Sequence, residues 1–509
     1  MHNQLHYACH AGEIRLLDLH IGLFLEKQAN KGDKQQKYPS LLLAATLASS
    51  AVGNGHICYP LYKTPEQPML ADLVTKHCPD LEQWRKELLT TPVVDQPGTI
   101  APLILDTKNH LYLHRFFCYE EFIAAALHCR ALTQLVPDHQ LAAQILEQLF
   151  PKTSRRPDTP LDGIDFQQMA TALALLKPLV IISGGPGTGK THTVARILAA
   201  LQALHARQQQ GQRKKALRIA LAAPTGKAAA RLEESIRMAK LSLPQDLRHD
   251  IPEQAQTLHR LLGSRYRPGA SAFRFNRENK LYLDILILDE ASMIDVEMMV
   301  SILEALPEKT RIILLGDRNQ LASVEAGSLF ADLCGNDYGN NTLGWSSQLW
   351  TELEQLTKMS STSSSLYPPK KKAEQYSGNA LTDSLILLRT SYRFQENSGI
   401  GFLAAAVKNG STEQVGKVIK ESFADLEIVQ HTEKKRQEWL KEKIVQGFQP
   451  ILTATSPEQA LAAMDAFRFL CALRKGPDGV QGINALMAQV LRQAELIAPH
   501  TTKHTHHQL

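Results

Sequence analysis

Gly184-Gly185-Pro186-Gly187-Thr188-Gly189-Lys190-Thr191 is the stretch that decides the fold. It fits the pattern G-x-x-x-x-G-K-[ST]. Before it stands Leu179-Val180-Ile181-Ile182, an apolar run of strand length. After it Val194, Ile197, Leu198, Leu201 and Leu204 recur at helical spacing. A strand, a glycine-rich bend and a helix in that order make a phosphate-binding loop. The glycines let the backbone curl until its amides converge, and the helix N-terminus adds partial positive charge. Lys190 brings a full charge to the β- and γ-phosphates, and the Thr191 hydroxyl suits Mg²⁺. Gly184, Gly185, Pro186, Gly187, Thr188, Gly189, Lys190 and Thr191 are therefore the expected nucleotide-binding residues, for ATP with Mg²⁺.

Further apolar runs lie downstream. Ile219-Ala220-Leu221, Ile285-Leu286-Ile287-Leu288 and Ile312-Ile313-Leu314-Leu315 read as strands, each followed by a helix-like or polar segment. Continuous apolar strands alternating with helices imply a parallel sheet covered on both faces. Leu288 is followed by Asp289 and Glu290, two carboxylates at a strand's C-terminal end, where open α/β sheets bind ligands. Asp289 can hold Mg²⁺ through water, and Glu290 can orient and deprotonate an attacking water. Gly316-Asp317-Arg318-Asn319-Gln320-Leu321 places Gln320 where it can sense a γ-phosphate. Upstream, Phe166-Gln167 is an aromatic and amide pair suited to reading adenine, with a solvated helix face as the other reading of Gln167.

The whole chain has 509 residues, which at roughly 150 residues per domain suggests three domains. Lys plus Arg number 56 and Asp plus Glu 51, a balance of +5 that excludes a polycation and leaves any nucleic-acid site to a local groove. No apolar run approaches the roughly 18 residues of a membrane helix. The start, Met1-His2-Asn3-Gln4-Leu5, lacks a basic region and apolar core, so no secretory signal is read and the cytoplasm is expected. Seven irregularly spaced cysteines form no Cys-x-x-Cys pair and argue against a disulfide framework.

Four zones follow from the pattern. Residues 1–145 are rich in helix formers, with a buried helix around Leu41 to Ala48, a break at Gly53-Asn54-Gly55, and a hairpin joining Leu103–Asp106 to Leu111–Leu113. No catalytic constellation occurs there, which suits a packing or partner-interaction domain. Residues 160–335 hold the phosphate loop, after a polar linker from Pro151 to Pro160. Residues 336–382 read as a flexible insertion, with a serine run at 363–365 and lysines at 370–372. Residues 383–509 repeat strand–helix alternation, with strands expected at Leu385–Leu388, Leu426–Val429 and Phe467–Leu473.

Several segments carry a family resemblance. Ala222-Ala223-Pro224-Thr225-Gly226-Lys227-Ala228-Ala229-Ala230-Arg231-Leu232 resembles motif Ia of superfamily 1 helicases. Thr257-Leu258-His259-Arg260-Leu261-Leu262 is similar to a T-[IL]-H-x-L-L segment of that group, Gly316 to Val324 to motif III, and Ser391-Tyr392-Arg393-Phe394 to motif IV. Together with Gly53 to Cys58, Leu111 to Arg115 and Phe469 to Val480, they resemble the RecD family, the alpha subunit of exodeoxyribonuclease V of RecBCD type. The resemblance spans about 10 to 490. It implies an α/β chain with a helical N-terminal domain followed by two RecA-like P-loop NTPase domains with parallel sheets, the second incomplete. It also implies an ATP-driven 5′-to-3′ DNA helicase acting in repair and recombination, with RecB- and RecC-type partners and DNA as ligand. In that picture Pro224, Thr225, Gly226 and Lys227 contact DNA phosphates, a sequence-blind interaction. His259 and Arg260 line the groove or couple it to ATP, packing of an amphipathic helix being the alternative. Arg393 reaches the γ-phosphate as a charge-stabilising finger. Catalysis is thus expected at Lys190, Asp289, Glu290, Gln320 and Arg393, and the metal at Thr191 and Asp289.

The chain also departs from the family pattern. Motifs V and VI are missing after Val480, and the tail with His504, His506 and His507 resembles nothing in the family. A truncated chain that binds nucleotide but hydrolyses it poorly is the resulting expectation, so a non-motor ATP-binding subunit or scaffold stays open beside the motor. Another P-loop enzyme, such as a nucleotide kinase, is the third reading. No nuclease constellation is evident.

Overall fold

A computed structural model describes residues 1–30, 38–78, 80–151, 164–209, 216–248, 250–264, 273–320, 326–335, 345–358, 380–389, 398–429 and 433–497. The chain forms two units, Met1–Gln395 and Glu396–Leu509.

The first unit begins with helices α1 (His2–His10), α2 (Leu16–Ala29) and α3 (Pro39–Gly53). Pro39 opens α3 without an unsatisfied amide. Every residue from Ser40 to Ala51 of α3 is buried. Gly22 of α2 lets the two helices meet, since a methyl there would collide with Thr46 Oγ1. Strand β1 (Cys58–Pro60), helices α4 (Pro68–His77) and α5 (Leu81–Leu89), and strands β2 (Val94–Asp95), β3 (Leu103–Leu105) and β4 (His110–Leu113) complete this part. The sheet order is β1-β4-β3-β2. The expected hairpin is β3–β4, with Leu103 opposite Leu113 and Leu105 opposite Leu111. Its turn is held by Asp106 Oδ1, which accepts from the amides of Lys108 (2.8 Å) and His110 (2.7 Å).

The larger sheet is six-stranded and wholly parallel. Its strands are β5 (Leu179–Gly184), β6 (Ile219–Ala223), β7 (Ala255–Thr257), β8 (Ile285–Leu288), β9 (Arg311–Gly316) and β10 (Leu385–Leu388), in the order β10-β5-β9-β8-β6-β7. Strand pleating divides its apolar residues between two faces. Val180, Ile182, Leu221, Ile285, Ile287, Ile313, Leu315, Ile386 and Leu388 share one core with α8 (Phe166–Leu176), α9 (Lys190–Gln208) and α10 (Gly226–Leu241), on which α7 (His139–Leu149) packs as an outer layer. Leu179, Ile181, Ala222, Leu286, Leu288, Ile312, Leu314 and Leu385 meet α6 (His114–Leu132), α11 (Leu258–Leu262), α12 (Val296–Ala305) and α13 (Leu329–Cys334). A helical N-terminal region followed by a parallel-sheet P-loop domain is thus the observed class.

Several boundaries need correction. Helices α6 and α7 bury Ile123, Leu127, Ile145 and Leu149 in the two cores built on the large sheet, so the N-terminal core closes near Leu113 instead of residue 145. Leu385–Leu388 does not open a second domain. It pairs with the phosphate-loop strand, Leu385 beside Ile181 and Leu388 beside Gly184. Part of the expected insertion is also ordered: α14 (Ser347–Thr357) buries Leu349, Leu353 and Leu356 in the same core, and Trp345 Nε1 donates to Leu385 O at 2.8 Å. The lysines at 370–372, most of the Pro151–Pro160 linker and the tail from 498 lie outside the described residues.

Among its described residues the second unit has helices α15 (Gly399–Lys408), α16 (Thr412–Lys420), α17 (Glu433–Leu452), α18 (Pro457–Ala466) and α19 (Val480–Gln493) and no named strand. The strands expected at Leu426–Val429 and Phe467–Leu473 are not formed there. Phe467 and Phe469 instead pack their rings on Phe448 of α17, while Leu470 and Leu473 face outward. A second parallel sheet is therefore not seen in these residues.

The N-terminal part meets the large-sheet part beside α12, and α6 is tied to the same helix. Gly327 N donates to Gly55 O at 2.9 Å, and Arg115 pairs with Glu297 at 2.6 Å. Gly327 has φ of 102°, and an added Cβ would strike Val296. Gly327→Ala is expected to destabilise by about 1–3 kcal/mol from strain and overpacking. Thermal unfolding checks this, against Gly226→Ala, whose added methyl meets open space.

Candidate nucleotide and nucleic-acid site

Every expected site residue that the structure describes lies at or beyond the C-terminal edge of the large sheet or, for Gln167, beside the phosphate loop. The loop leaves β5 and turns into α9 through Gly187 (φ 78°) and Gly189 (φ 81°), both left-handed and costly for other residues. Lys190 Nζ folds back to donate to Gly184 O (2.6 Å) and Gly185 O (3.4 Å). Thr188 Oγ1 donates to Gly185 O at 2.9 Å. The glycines serve different ends. A Cβ at Gly184 would come within 2.5 Å of Thr188 Oγ1 and 3.1 Å of Leu388 Cβ, so packing demands it. At Gly185 nothing comes nearer than Asp317 Oδ2 at 4.0 Å, and the backbone stays open to a phosphate. Thr191, in the first turn of α9, is half-buried. Curled amides, an ammonium and a hydroxyl in this order fit a Mg²⁺-bound triphosphate.

Gln167 braces the loop. Its Nε2 donates to Thr188 O (3.4 Å), and its Oε1 accepts from Arg196 Nη1 (2.7 Å). Phe166 is buried, with the Arg389 guanidinium 5.7 Å from its ring centre.

The two carboxylates stand at the end of β8. Asp289 Oδ1 accepts from Glu290 N at 2.9 Å. Burial pushes the Asp289 carboxyl up to about 6, the Glu290 charge adds to the rise, and the Lys190 ammonium opposes it. Glu290 has φ 51° and ψ 42°. A non-glycine residue held there costs about 1–2 kcal/mol, and such strain gathers at functional sites. The 3-10 turn Ala291–Met293 follows, and Ser292 Oγ donates to Gln320 Oε1 at 2.8 Å. Gln320 sits beyond β9 in a turn closed by its amide on Asp317 O (3.1 Å), and Arg318 N donates to Ser183 Oγ at 3.2 Å. Sequence reasoning missed Ser292 and Arg389. A hydroxyl two residues past the acidic pair was the available signal for the first, and none marked the second.

The expected nucleic-acid residues lie at the far end of the same edge. Thr225, Gly226 and Lys227 are exposed and Pro224 half-buried. Thr225 Oγ1 caps α10 by accepting from Ala228 N at 3.2 Å. His259 and Arg260 are exposed on α11, the His259 ring 5.9 Å from Phe273. Ala223 pairs with Thr257, so both loops leave the sheet side by side. Strands β5, β9 and β8 thus carry the phosphate and carboxylate groups, and β6 and β7 the others. Arg393 lies outside the described residues.

Two family models match the chain: "RecBCD enzyme subunit RecD, N-terminal domain" over residues 10–112 and "AAA domain" over 167–326. The RecBCD enzyme subunit RecD of Mycolicibacterium smegmatis is 34% identical over 472 residues, 92% of this chain and 71% of that protein. Its namesake in Haemophilus influenzae is 31% identical, covering 93% and 76%, and that of Buchnera aphidicola 28%, covering 95% and 76%. A solved Pif1 helicase from Candida albicans aligns over 56% of this chain and 55% of its own at 15% identity and a TM-score of 0.28, too slight a likeness to argue from.

Asp289 yields a pH prediction for the metal-free protein. Its folded carboxyl holds a proton more tightly than the unfolded chain does. The stability this contributes is complete below the usual carboxylate range and is lost as pH rises through about 6. Asp289→Asn is neutral throughout. In chelator its unfolding temperature should therefore fall less than that of the wild type between pH 5 and 7.5.

Proposed function

The chain belongs to the RecD family of RecBCD enzyme subunits, and on that footing we propose that it draws single-stranded DNA along its sheet edge, 5′ to 3′, by ATP hydrolysis. Membership makes it an ATP-dependent DNA helicase subunit of a recombination and repair enzyme. RecB- and RecC-type subunits and DNA are its partners. No described helix is long and apolar enough to cross a membrane, and the cytoplasm is where such an enzyme would work.

The observation that supports the mechanism is that one sheet edge bears the phosphate loop and the carboxylates at the ends of β5, β9 and β8 and exposed polar groups beyond β6 and β7. Lys190 and the amides of Gly185 to Gly189 would hold the β- and γ-phosphates. Thr191 and Asp289 would hold Mg²⁺, which when bound neutralises phosphate charge. Glu290 would orient the attacking water and accept its proton. Gln320 would sense the γ-phosphate, and Arg393 would approach it as the finger. Gln167, engaged with Thr188 and Arg196, would steady the loop and present its amide to the base when ATP arrives. Thr225, Gly226, Lys227, His259 and Arg260, with Pro224 shaping the turn, would hold successive DNA phosphates. Because β6 and β8 are hydrogen-bonded neighbours, a shift of the carboxylate loop is felt one strand away by the DNA loop.

On the motor reading, single-stranded DNA stimulates ATP turnover by the purified chain and Lys190→Ala abolishes it. A kinase would instead phosphorylate a small acceptor, and a binding subunit would show no stimulation in either protein; both outcomes sink the motor reading. Lys227→Ala should weaken binding to all sequences alike. It should also flatten the dependence of log K on log salt by about 0.7, one single-strand phosphate contact.

A further inference from the structure

Ser292 has no task in the mechanism above, yet its placement is specific. The chain reaches it through the left-handed Glu290 and the 3-10 turn Ala291–Met293. That detour carries the side chain from the end of β8 across to the loop after β9. There its Oγ donates to Gln320 Oε1 at 2.8 Å, a side-chain bond between residues 28 apart in sequence. Ser292 is 8% exposed, while Gln320 is exposed. A buried hydroxyl needs a partner. The partner here is one end of a side chain that would otherwise sample several rotamers in solvent.

We infer that Ser292 is a positioning residue that orients the Gln320 carboxamide for the γ-phosphate. The inference rests on the reading of Gln320 as the γ-phosphate sensor. A carboxamide has an accepting end and a donating end, and phosphate oxygens only accept. With its carbonyl oxygen held by Ser292, Gln320 keeps its NH₂ as the end left for a phosphate oxygen. Because Ser292 shares its turn with Glu290, the bond to Gln320 links the amide to the loop that carries the water-orienting carboxylate. A γ-phosphate that engages Gln320 is thereby reported to the carboxylate loop through a single hydrogen bond.

The test is an equilibrium one and needs no turnover. Fluorescent ADP and a non-hydrolysable ATP analogue are titrated into the wild type, Ser292→Ala, Gln320→Ala and the double variant. The readout is the ratio of analogue to ADP affinity. Ser292→Ala should lower that ratio about fivefold while ADP affinity holds within about twofold, the scale of one net hydrogen bond. The double variant should be no worse than Gln320→Ala alone, because the serine acts through the glutamine. Ser292→Thr, which keeps the hydroxyl, should retain the wild-type ratio. A wild-type ratio in Ser292→Ala, or multiplied losses in the double variant, would overturn the inference. A ratio unmoved by Gln320→Ala would overturn it together with the sensor reading. Absence of DNA-stimulated turnover with the ratios behaving as expected would sink the motor and leave this link standing.

Discussion

Everything at the site depends on the burial of β5 between β9 and β10. Its residues from Leu179 to Gly184 are all buried, alternating between two apolar layers, and both of its edges are hydrogen-bonded in parallel. A strand so held can end in only one place. The phosphate loop therefore starts from a rigid point, and its left-handed glycines are arranged relative to that point. The same register sets the ends of β8 and β9, so that Asp289 and the Gly316–Gln320 turn arrive beside the loop without any element built for the purpose. Parallel topology does this at large, because all strands deliver their C-terminal loops to one edge.

The N-terminal part joins this arrangement where it can be felt. Gly55 and Ile57 meet Gly327, a few residues past Gln320, and Arg115 meets Glu297, at the start of the helix that follows the acidic pair. Both contacts lie at the first turn of α12, which follows the Ala291–Met293 turn in the chain. Exposed ion pairs contribute little on their own. The glycine contact is the stiffer of the two, since neither backbone can retreat without displacing Val296 or Ile57.

Local chemistry was legible in the sequence and long-range partnership was not. The phosphate loop, its strand and helix, the acidic pair and the β3–β4 hairpin each carry their signal within about ten residues, as spacing, apolarity or turn residues. Leu385–Leu388 carried only apolarity. That names a buried strand but not its neighbour, and here the neighbour is Ile181, some two hundred positions earlier. Strand β7 was missed because Ala255-Gln256-Thr257 is short and only half-buried. Leu349, Leu353 and Leu356 had helical spacing, but polar stretches on either side outweighed them in a composition reading. The apolar run at Phe467–Leu473 failed in the opposite sense: aromatic packing on α17 satisfies it without a strand. Phe166 shows the same limit at the site, since nothing near it in sequence announces Arg389.

The carboxylate loop carries two strains of different origin. Asp289 is pushed up to about 6 by burial beside a second acid, which means the metal-free fold resists full ionisation there. Glu290 is held in a backbone region that non-glycine residues avoid. Neither feature stabilises the fold. The first follows from burial at the end of β8, and the second from the sharp turn the chain takes there. A divalent cation with phosphate oxygens would relieve the first strain, since the charge Asp289 resists taking becomes the charge the metal attracts. The second strain persists, and it is what carries Ser292 to Gln320. Strain that ligand binding relieves supplies affinity. Strain that persists supplies geometry, and in this loop the left-handed backbone sets where the Ser292 hydroxyl meets Gln320.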